Sequence, residues 1–478
     1  MKKVLVTGVF NVFHPGHIRL LNFAKKYGDK LIVGILSDKL AGRGSFVSLN
    51  YRLENLQNNS IIDEVYVIDK SVRNFIKKFK PSLVVKGKEH ETRYNEEEEE
   101  LKKYGGKLIF SSGDVTFSSS DLLRKEVVDL KTSLVEFPNF YLKKRKISCS
   151  KLSEDLKKFN SLNACVIGDL IIDKYLQCEP LGMSREDNTI VIKPIESNLY
   201  LGGAGIVSAH CSSLGAITHF VSVAGRDKYE KFAKKKLKEY GVHSKLFVDD
   251  SRQTTLKERY MTSNKTIFRV SHLQQRSISI KLQNQILTYL KSIIKKLDLI
   301  ILSDFNYGLL PDDFIQEIIK LAKKNKLFIS ADCQSSSQMG DITKFKSVDL
   351  ITPTENEARV SLKNYQDGIV VIAEKIRKKS LVKNIILTLG EDGIFIHKGL
   401  SKTYENDKIS SLNKNPISTS GAGDCLLAVM SLALKAKLSL WEAAFLGSLG
   451  AGLQVSNLGN LPIKLKNLKN KLLEGNDR

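Results

Sequence analysis

Short apolar runs alternate with amphipathic stretches along almost the whole chain, and this rhythm narrows the fold more than any other feature of the sequence. Runs at 3–6 (KVLV), 31–36 (LIVGIL), 64–68 (EVYVI), 82–85 (SLVV) and 107–110 (KLIF) are apolar without a polar alternate, as strands buried on both faces must be. Residues 16–27 and 71–79 between them carry helical periodicity. The run EEEEELKKYGG (96–106) reads as an exposed helix, with glutamate in its first turn, lysine in its last and glycine closing it. Such alternation predicts a small doubly wound α/β domain over 1–130.

The rhythm stops over 128–160, which is rich in Lys and Ser and contains Pro138, so a linker is expected at 131–160. It resumes at ACVIGDLIIDKY (164–175), with strand-like runs at 217–223, 299–302, 327–330, 348–351 and 384–388. Residues 188–200 and 254–270 alternate β-branched and charged residues instead, which predicts a small antiparallel sheet, a lid, on the larger α/β domain over 161–478. A chain of 478 residues is too long for one ordinary core, in keeping with two domains.

No run of about eighteen apolar residues occurs, so no membrane partner is expected. The opening MKKVLVTG reads as a first strand, not a targeting segment. The six cysteines show no paired spacing and are expected as reduced thiols, which fits a cytoplasmic protein. The net charge of +23 comes from lysines dispersed over the chain, not gathered into a footprint, so no nucleic-acid partner is expected. A homo-oligomer is expected.

Two segments carry chemistry. GVFNVFHPGH (8–17) runs from strand through a glycine turn into a helix start, where free N–H groups favour an anion. His14 and His17, three apart, can both project to one side of that turn and act catalytically, donating hydrogen bonds to phosphate oxygens as charge builds on them in a transition state. STSGAGD (418–424) leads from a small polar turn into an apolar helix. Gly421 and Gly423 leave N–H groups bare there, and Asp424 in the first turn is placed to take a proton from an attacking hydroxyl. The bland reading of Asp424 is a first-turn acid serving the helix dipole.

Residues 1–127 resemble the nucleotidyltransferase family that contains the cytidylyltransferases. The likeness rests on TGVFNVFHPGH, on GDKLIVGILSD (28–38), Arg52 and VVKGKEH (84–90), and on FSSSDLLRK (117–125). That resemblance implies nucleotide binding by Thr7, Gly8, Phe10, His14, His17 and Arg52. It also implies a phosphate-touching turn at Ser118, Ser119 and Ser120. The implied reaction is attack of a phosphate oxygen on the α-phosphorus of ATP or CTP, with pyrophosphate leaving.

Residues 160–460 resemble the ribokinase-like (PfkB) sugar kinases. VIGDLIIDKY (166–175), LGGAGIVSAHCSSLGA (201–216), ILSDFNYGLL (301–310), LITPTENEA (350–358), ILTLGEDGIFI (386–396) and the GAGD turn carry this likeness in the family's order. It implies Asp424 as catalytic base and Gly421, Ala422 and Gly423 as anion hole. Asp173, Gly202 and Gly203 would hold the sugar, Thr388, Gly390 and Gly393 the ATP, and Glu357 a Mg²⁺ through water. Tyr307 and Gln334 stand where the heptose-phosphate kinases of this family have lysine, Thr354 where they have asparagine, and Ser418 where they have aspartate. Both halves resemble bifunctional heptose-phosphate enzymes, here with the domain order reversed. The joint implication is phosphorylation of a sugar or sugar phosphate and coupling of a sugar-1-phosphate to a nucleotide, giving an NDP-sugar. The alternative is an active nucleotidyltransferase beside a kinase-like domain that has another substrate or only senses ligand.

Overall fold

The computed structural model divides into two units, Met1–Thr132 and Ser133–Arg478. It describes residues 2–11, 15–42, 45, 47–57, 59, 61–87, 95–111, 135–184, 186–187, 189–262, 265–334, 340–400, 403–457 and 459–475. The fold is mixed α/β in both units.

In the first unit, β1 (Lys3–Gly8), β2 (Lys30–Leu36), β3 (Glu64–Ile68), β4 (Leu83–Gly87) and β5 (Lys107–Ser111) form one parallel sheet in the order β3-β2-β1-β4-β5. The chain winds outward from β1 in one direction and then returns to β4, so the sheet's switch point lies at the carboxyl ends of β1 and β4. Open α/β sheets bind ligands at such points. Both faces are apolar. Val4, Val6, Leu31 and Val33 pack on one side, and Leu5, Ile32, Ile76 and Val84 on the other, which is why these strands read as unbroken apolar runs. The glutamate-rich helix Glu96–Lys102 is less solvated than its composition suggests. Glu97 and Glu100 are buried, and Glu97 is paired with Lys86 at 2.8 Å.

The second unit is built on nine strands. They are β6 (Asn163–Gly168), β9 (Ile217–Ala224), β10 (His243–Val248), β13 (Leu299–Asp304), β14 (Phe328–Cys333), β15 (Leu350–Ile351), β16 (Asn384–Thr388), β17 (Ile394–Gly399) and β18 (Tyr404–Ile409). Their order is β10-β9-β6-β13-β14-β15-β16-β17-β18. All pairs are parallel until β16, after which two antiparallel strands finish the edge. A second sheet, β12-β11-β7-β8, is the expected lid. It consists of β7 (Leu170–Met183), β8 (Ile190–Gly203), β11 (Thr255–Thr262) and β12 (Lys265–His272), with β11 parallel to β7 and the other pairs antiparallel.

The apolar stretch 164–175 is thus two strands in two sheets, and only Asp169 separates them. That joint is tightly held. The Asp169 carboxylate accepts from the N–H groups of Phe305 (2.8 Å) and Tyr307 (3.3 Å), and its carbonyl accepts from Ala204 N–H at 3.0 Å. A Cβ on Gly168 would meet the Ser303 carbonyl oxygen at 1.9 Å. Further out, the β7–β8 pairing is interrupted by bulges at Gln177/Cys178 and Pro180/Gly182.

The expected linker at 131–160 is corrected by the structure. Helices Asn139–Arg145 and Cys149–Asp155 and the 3₁₀ turn Leu156–Ser161 pack Tyr141, Leu142, Leu152, Leu156 and Phe159 into the core of the second unit. Tyr141 donates its hydroxyl to the Trp441 carbonyl at 2.9 Å, and the Arg145 guanidinium stacks on the Trp441 ring at 3.5 Å. The segment lost the strand–helix rhythm because it contributes helices alone, not because it is unpacked. All six cysteines are buried free thiols. Among the described residues no helix is long and apolar enough to cross a membrane.

Candidate active site

In the second unit the candidate residues converge at the carboxyl edge of the main sheet. Gly421, at φ 77°, turns the chain into the helix Ala422–Lys435, whose apolar body is almost wholly buried. Asp424 sits in its first turn with 6% of its surface exposed. Burial pushes its carboxyl up to about 7; the negative charges of Asp173 and Glu357 push the same way, while Lys257 and the Gln334 amide pull it back. Gln334 Nε2 donates to Asp424 Oδ1 at 3.1 Å. A Cβ on Gly423 would meet nothing within 4 Å, so the backbone there faces open space beside the carboxyl, as an anion cradle requires.

Asp173, on β7, is 4% exposed. It accepts from Asn460 Nδ2 at 3.0 Å and from an Arg259 terminal nitrogen at 3.3 Å. Gly202, at the end of β8, comes so close that a Cβ would lie 2.3 Å from Asp173 Oδ2. Gly203, at φ 56°, caps the helix Ala204–Ser213. Parallel pairing sets Lys257 beside Asp173 and Arg259 beside Tyr175 on one face of the second sheet. The Lys257 ammonium lies 5.3 Å from the Phe305 ring centre and 5.2 Å from that of Tyr307. Tyr307, buried in the slot where the resembling kinases carry lysine, therefore forms part of an aromatic floor under a lysine supplied from another strand.

Glu357 lies in the first turn of the helix Glu355–Leu362 and forms a capping box with Thr354. Thr354 Oγ1 accepts from Glu357 N–H at 3.1 Å, and Glu357 Oε2 accepts from Thr354 N–H at 2.8 Å. Threonine at 354 thus does the capping that asparagine would do. Asp332, at the end of β14, is 4% exposed and its Oδ1 has no hydrogen-bond partner; burial and the charges of Glu357 and Asp424 raise its carboxyl well above the ordinary range. Among the described residues no group of three or more His, Cys, Asp or Glu side chains is arranged to hold a metal. The orphaned Asp332 oxygen and Glu357 nevertheless fit a Mg²⁺ held mainly by water and nucleotide phosphates, the coordination that this hard cation favours. Thr388 ends β16, and Gly390 and Gly393, at φ 61° and 89°, shape the turn into β17.

Sequence reading missed Asn460, Asp332 and Asp169. Asn460 is 4% exposed in the loop after the helix Leu440–Gln454 and touches both Asp173 and the Gly421 turn, yet it lies in no motif. Lys344 was also missed; its ammonium is 2.5 Å from Asp304 at the end of β13.

In the first unit Thr7 and Gly8 end β1 at the switch point, and His17 lies in the first turn of the helix Pro15–Lys25. The His17 and Phe10 rings are 5.0 Å apart, and Phe10 is buried at φ 54°. His14, Ser118, Ser119 and Ser120 lie outside the described residues. Arg52 requires a correction. It is fully buried and donates to the carbonyls of Val47 (2.8 Å), Val9 (2.6 Å) and Leu36 (3.0 Å) while pairing with Asp38. Its guanidinium braces the loops at the sheet's edge and is not presented to a nucleotide.

The pfkB family carbohydrate kinase model matches residues 161–463 and the cytidylyltransferase-like model residues 5–125, so the transferase-like segment comes first. The chain is 30% identical over 325 residues to the "Bifunctional protein HldE" of Desulfatibacillum aliphaticivorans, covering 67% of this chain and 65% of that one. It is 29% identical over 313 residues to the HldE of Campylobacter jejuni subsp. jejuni serotype O:6, covering 64% and 63%. The chain thus spans just under two thirds of the length of these curated relatives. Among solved structures, Escherichia coli phosphofructokinase-2 superposes with a TM-score of 0.54 at 13% identity, covering 66% of this chain and all of that one. Arabidopsis thaliana ribokinase superposes with a TM-score of 0.52 at 19% identity, covering 66% and 99%. These two likenesses establish the fold of the second unit.

Proposed function

We propose that this chain, which belongs to the pfkB family of carbohydrate kinases, is a bifunctional enzyme that phosphorylates a sugar or sugar phosphate and then couples the sugar-1-phosphate to a nucleotide. The observation that carries the first step is the buried Asp424 carboxyl, held up to about 7 beside the open backbone at Gly423. A base titrating near neutrality suits removal of a hydroxyl proton. Asp173 and the close approach of Gly202 fix the acceptor sugar. As its hydroxyl oxygen attacks the γ-phosphorus of ATP, Asp424 takes the proton, the bond to the β-phosphate bridging oxygen breaks, and ADP leaves. The N–H groups of the Gly421–Gly423 turn receive the developing negative charge. Mg²⁺, when bound near Glu357 and Asp332, would neutralise phosphate charge.

For the first unit, the support is the switch-point position of Thr7, Gly8 and His17 together with the cytidylyltransferase-like match. There a sugar-1-phosphate oxygen attacks the α-phosphorus of ATP or CTP and pyrophosphate leaves. The chemistry needs positioning and charge stabilisation but no protein nucleophile. The test is incubation of the protein with each nucleoside triphosphate, Mg²⁺ and a panel of heptoses, hexoses and their phosphates, with products identified by mass. ADP plus a new sugar phosphate, and then an NDP-sugar, is the expected outcome. No turnover of any sugar by the wild type, with nucleotide bound, would support the ligand-sensing alternative.

A further inference from the structure

Gln334, whose side-chain amide reaches Asp424, is held from behind through both of its backbone polar groups. Its N–H donates to the Asp304 carbonyl at 2.9 Å, and its own carbonyl accepts from Asn306 Nδ2 at 3.0 Å. Asn306 lies in the loop after β13 at φ 60°, a left-handed conformation that asparagine tolerates better than most side chains. Its N–H donates to Asp304 Oδ1 at 2.9 Å, and its Oδ1 accepts from Lys344 Nζ at 3.2 Å. Lys344, in the turn Ile342–Lys344, also pairs with Asp304, and the two side chains are 11% and 1% exposed. Both ends of the Asn306 amide are thus engaged inside the protein, one by a lysine and the other by the Gln334 carbonyl.

The need for such a hold follows from the chemistry at position 334. A lysine ammonium is drawn to a carboxylate by a charge attraction that depends little on angle, whereas a neutral amide stabilises it only when distance and direction are both right. An amide turned end for end would present its oxygen to Asp424 and oppose the charge instead. Asparagine suits position 306 because one short side chain brings a donor for the Gln334 carbonyl and an acceptor for Lys344; aspartate would offer acceptors alone, and glycine neither. We propose that Asn306 is a positioning residue for phosphoryl transfer: braced by Lys344, it fixes the Gln334 backbone and so aims the Gln334 amide at the Asp424 carboxylate. The inference rests on the reading of Asp424 as the base of a sugar kinase and adds the residue that orients the base's neutral partner.

The test is a double-mutant cycle in the full chain, read at pH 7 as ADP release from ATP and Mg²⁺ with a panel of heptoses, hexoses and their phosphates as acceptors, and with thermal melts alongside. Asn306→Gly keeps the left-handed backbone and removes the amide. It should lower kcat about fivefold while KM for ATP and for the sugar stay within about twofold, the split expected when an interaction serves only the reacting geometry. Gln334→Leu should lower kcat by a similar factor, and adding Asn306→Gly to it should change kcat by no more than about twofold. Asn306→Asp, which keeps an acceptor for Lys344 but has no donor for Gln334, should fall like Asn306→Gly. Losses that multiply to about 25-fold in the double variant overturn the proposal, because Asn306 would then act without Gln334. Wild-type kcat in Asn306→Gly or in Asn306→Asp also overturns it and leaves the kinase reading standing. A loss in Asn306→Gly that disappears when the assay is run well below its melting temperature is a folding effect and overturns it too. No ADP release by the wild type with any acceptor of the panel removes the kinase reading, and the role of Asn306 with it.

Discussion

The Gln334 side-chain amide donates to the Asp424 carboxylate at 3.1 Å, in the slot where the resembling heptose-phosphate kinases place a lysine. Burial, with the charges of Asp173 and Glu357, holds the Asp424 carboxyl up to about 7, and the neutral Gln334 donor pulls it back less than an ammonium would. The kinase kcat/KM should therefore rise with pH through about 7. Gln334→Lys should move that rise to lower pH and Gln334→Leu to higher pH, by on the order of one unit each. A pH–rate profile unmoved by either substitution would remove Asp424 as the titrating base.

Asp424→Asn should lower sugar phosphorylation by roughly 10²–10⁴-fold, the usual contribution of a positioned base. The same substitution should stabilise the second unit at pH 8. A carboxyl whose folded pKa is raised contributes stability that is fully present below its ordinary value and lost as pH climbs through about 7. Asparagine cannot ionise, so the variant should gain roughly 1–4 kcal/mol over wild type at pH 8, a gain that vanishes below about pH 4. Thermal melts at the two pH values, with an ADP-release assay alongside, measure both effects.

Gly423→Ala should separate folding from catalysis. Its Cβ would meet nothing within 4 Å, so stability should stay within about 0.5 kcal/mol of wild type. The added methyl would nonetheless stand where the cradle receives phosphoryl oxygen, and kcat should fall by about 10²-fold or more. A drop in melting temperature with kcat preserved would contradict the cradle.

Asn460→Leu should raise KM for the sugar about tenfold or more while leaving KM for ATP within a factor of about two, because the amide touches Asp173 and nothing on the Thr388–Gly393 side. Equal changes in both constants would mean that Asn460 only supports the loop.

Arg52→Leu should destabilise the first unit by roughly 2–4 kcal/mol, since it strips three part-buried carbonyls and Asp38 of their fully buried donor. Limited proteolysis confined to residues 1–132 would register this. A variant as resistant as wild type but with weaker nucleotide binding would restore Arg52 to the nucleotide site.

The sequence made strands legible wherever burial on both faces left an unbroken apolar run, as in Leu31–Leu36 or Leu299–Leu302. It made a second sheet legible wherever one solvated face imposed alternation. It failed at 135–161, where helices from two turns to barely one have no room to display a period and are held by partners as remote as Trp441. It also failed at Arg52, because a buried guanidinium and a phosphate-binding one are the same letter and only the carbonyls around it separate them. Asp424 stood out because backbone geometry and charge at a helix mouth restrict the residue choice locally, whereas Asp173, Gly202 and Gly203 entered only through the resemblance to the sugar kinases. Asn460 and Asp332 did neither, because their significance lies in atoms brought close from distant parts of the chain.

The single residue between β6 and β7 has a mechanical consequence. Asp169 is clamped by Phe305, Tyr307 and Ala204, and the flanking glycine admits no side chain. The four-stranded sheet is therefore a cantilever whose fixed end is the root of β7. Any deflection grows along β7 and is taken up beyond the bulge at Gln177, where the pairing is already irregular. Asp173, four residues from the fixed end, should therefore be displaced less by any such bending than the far tips of the strands.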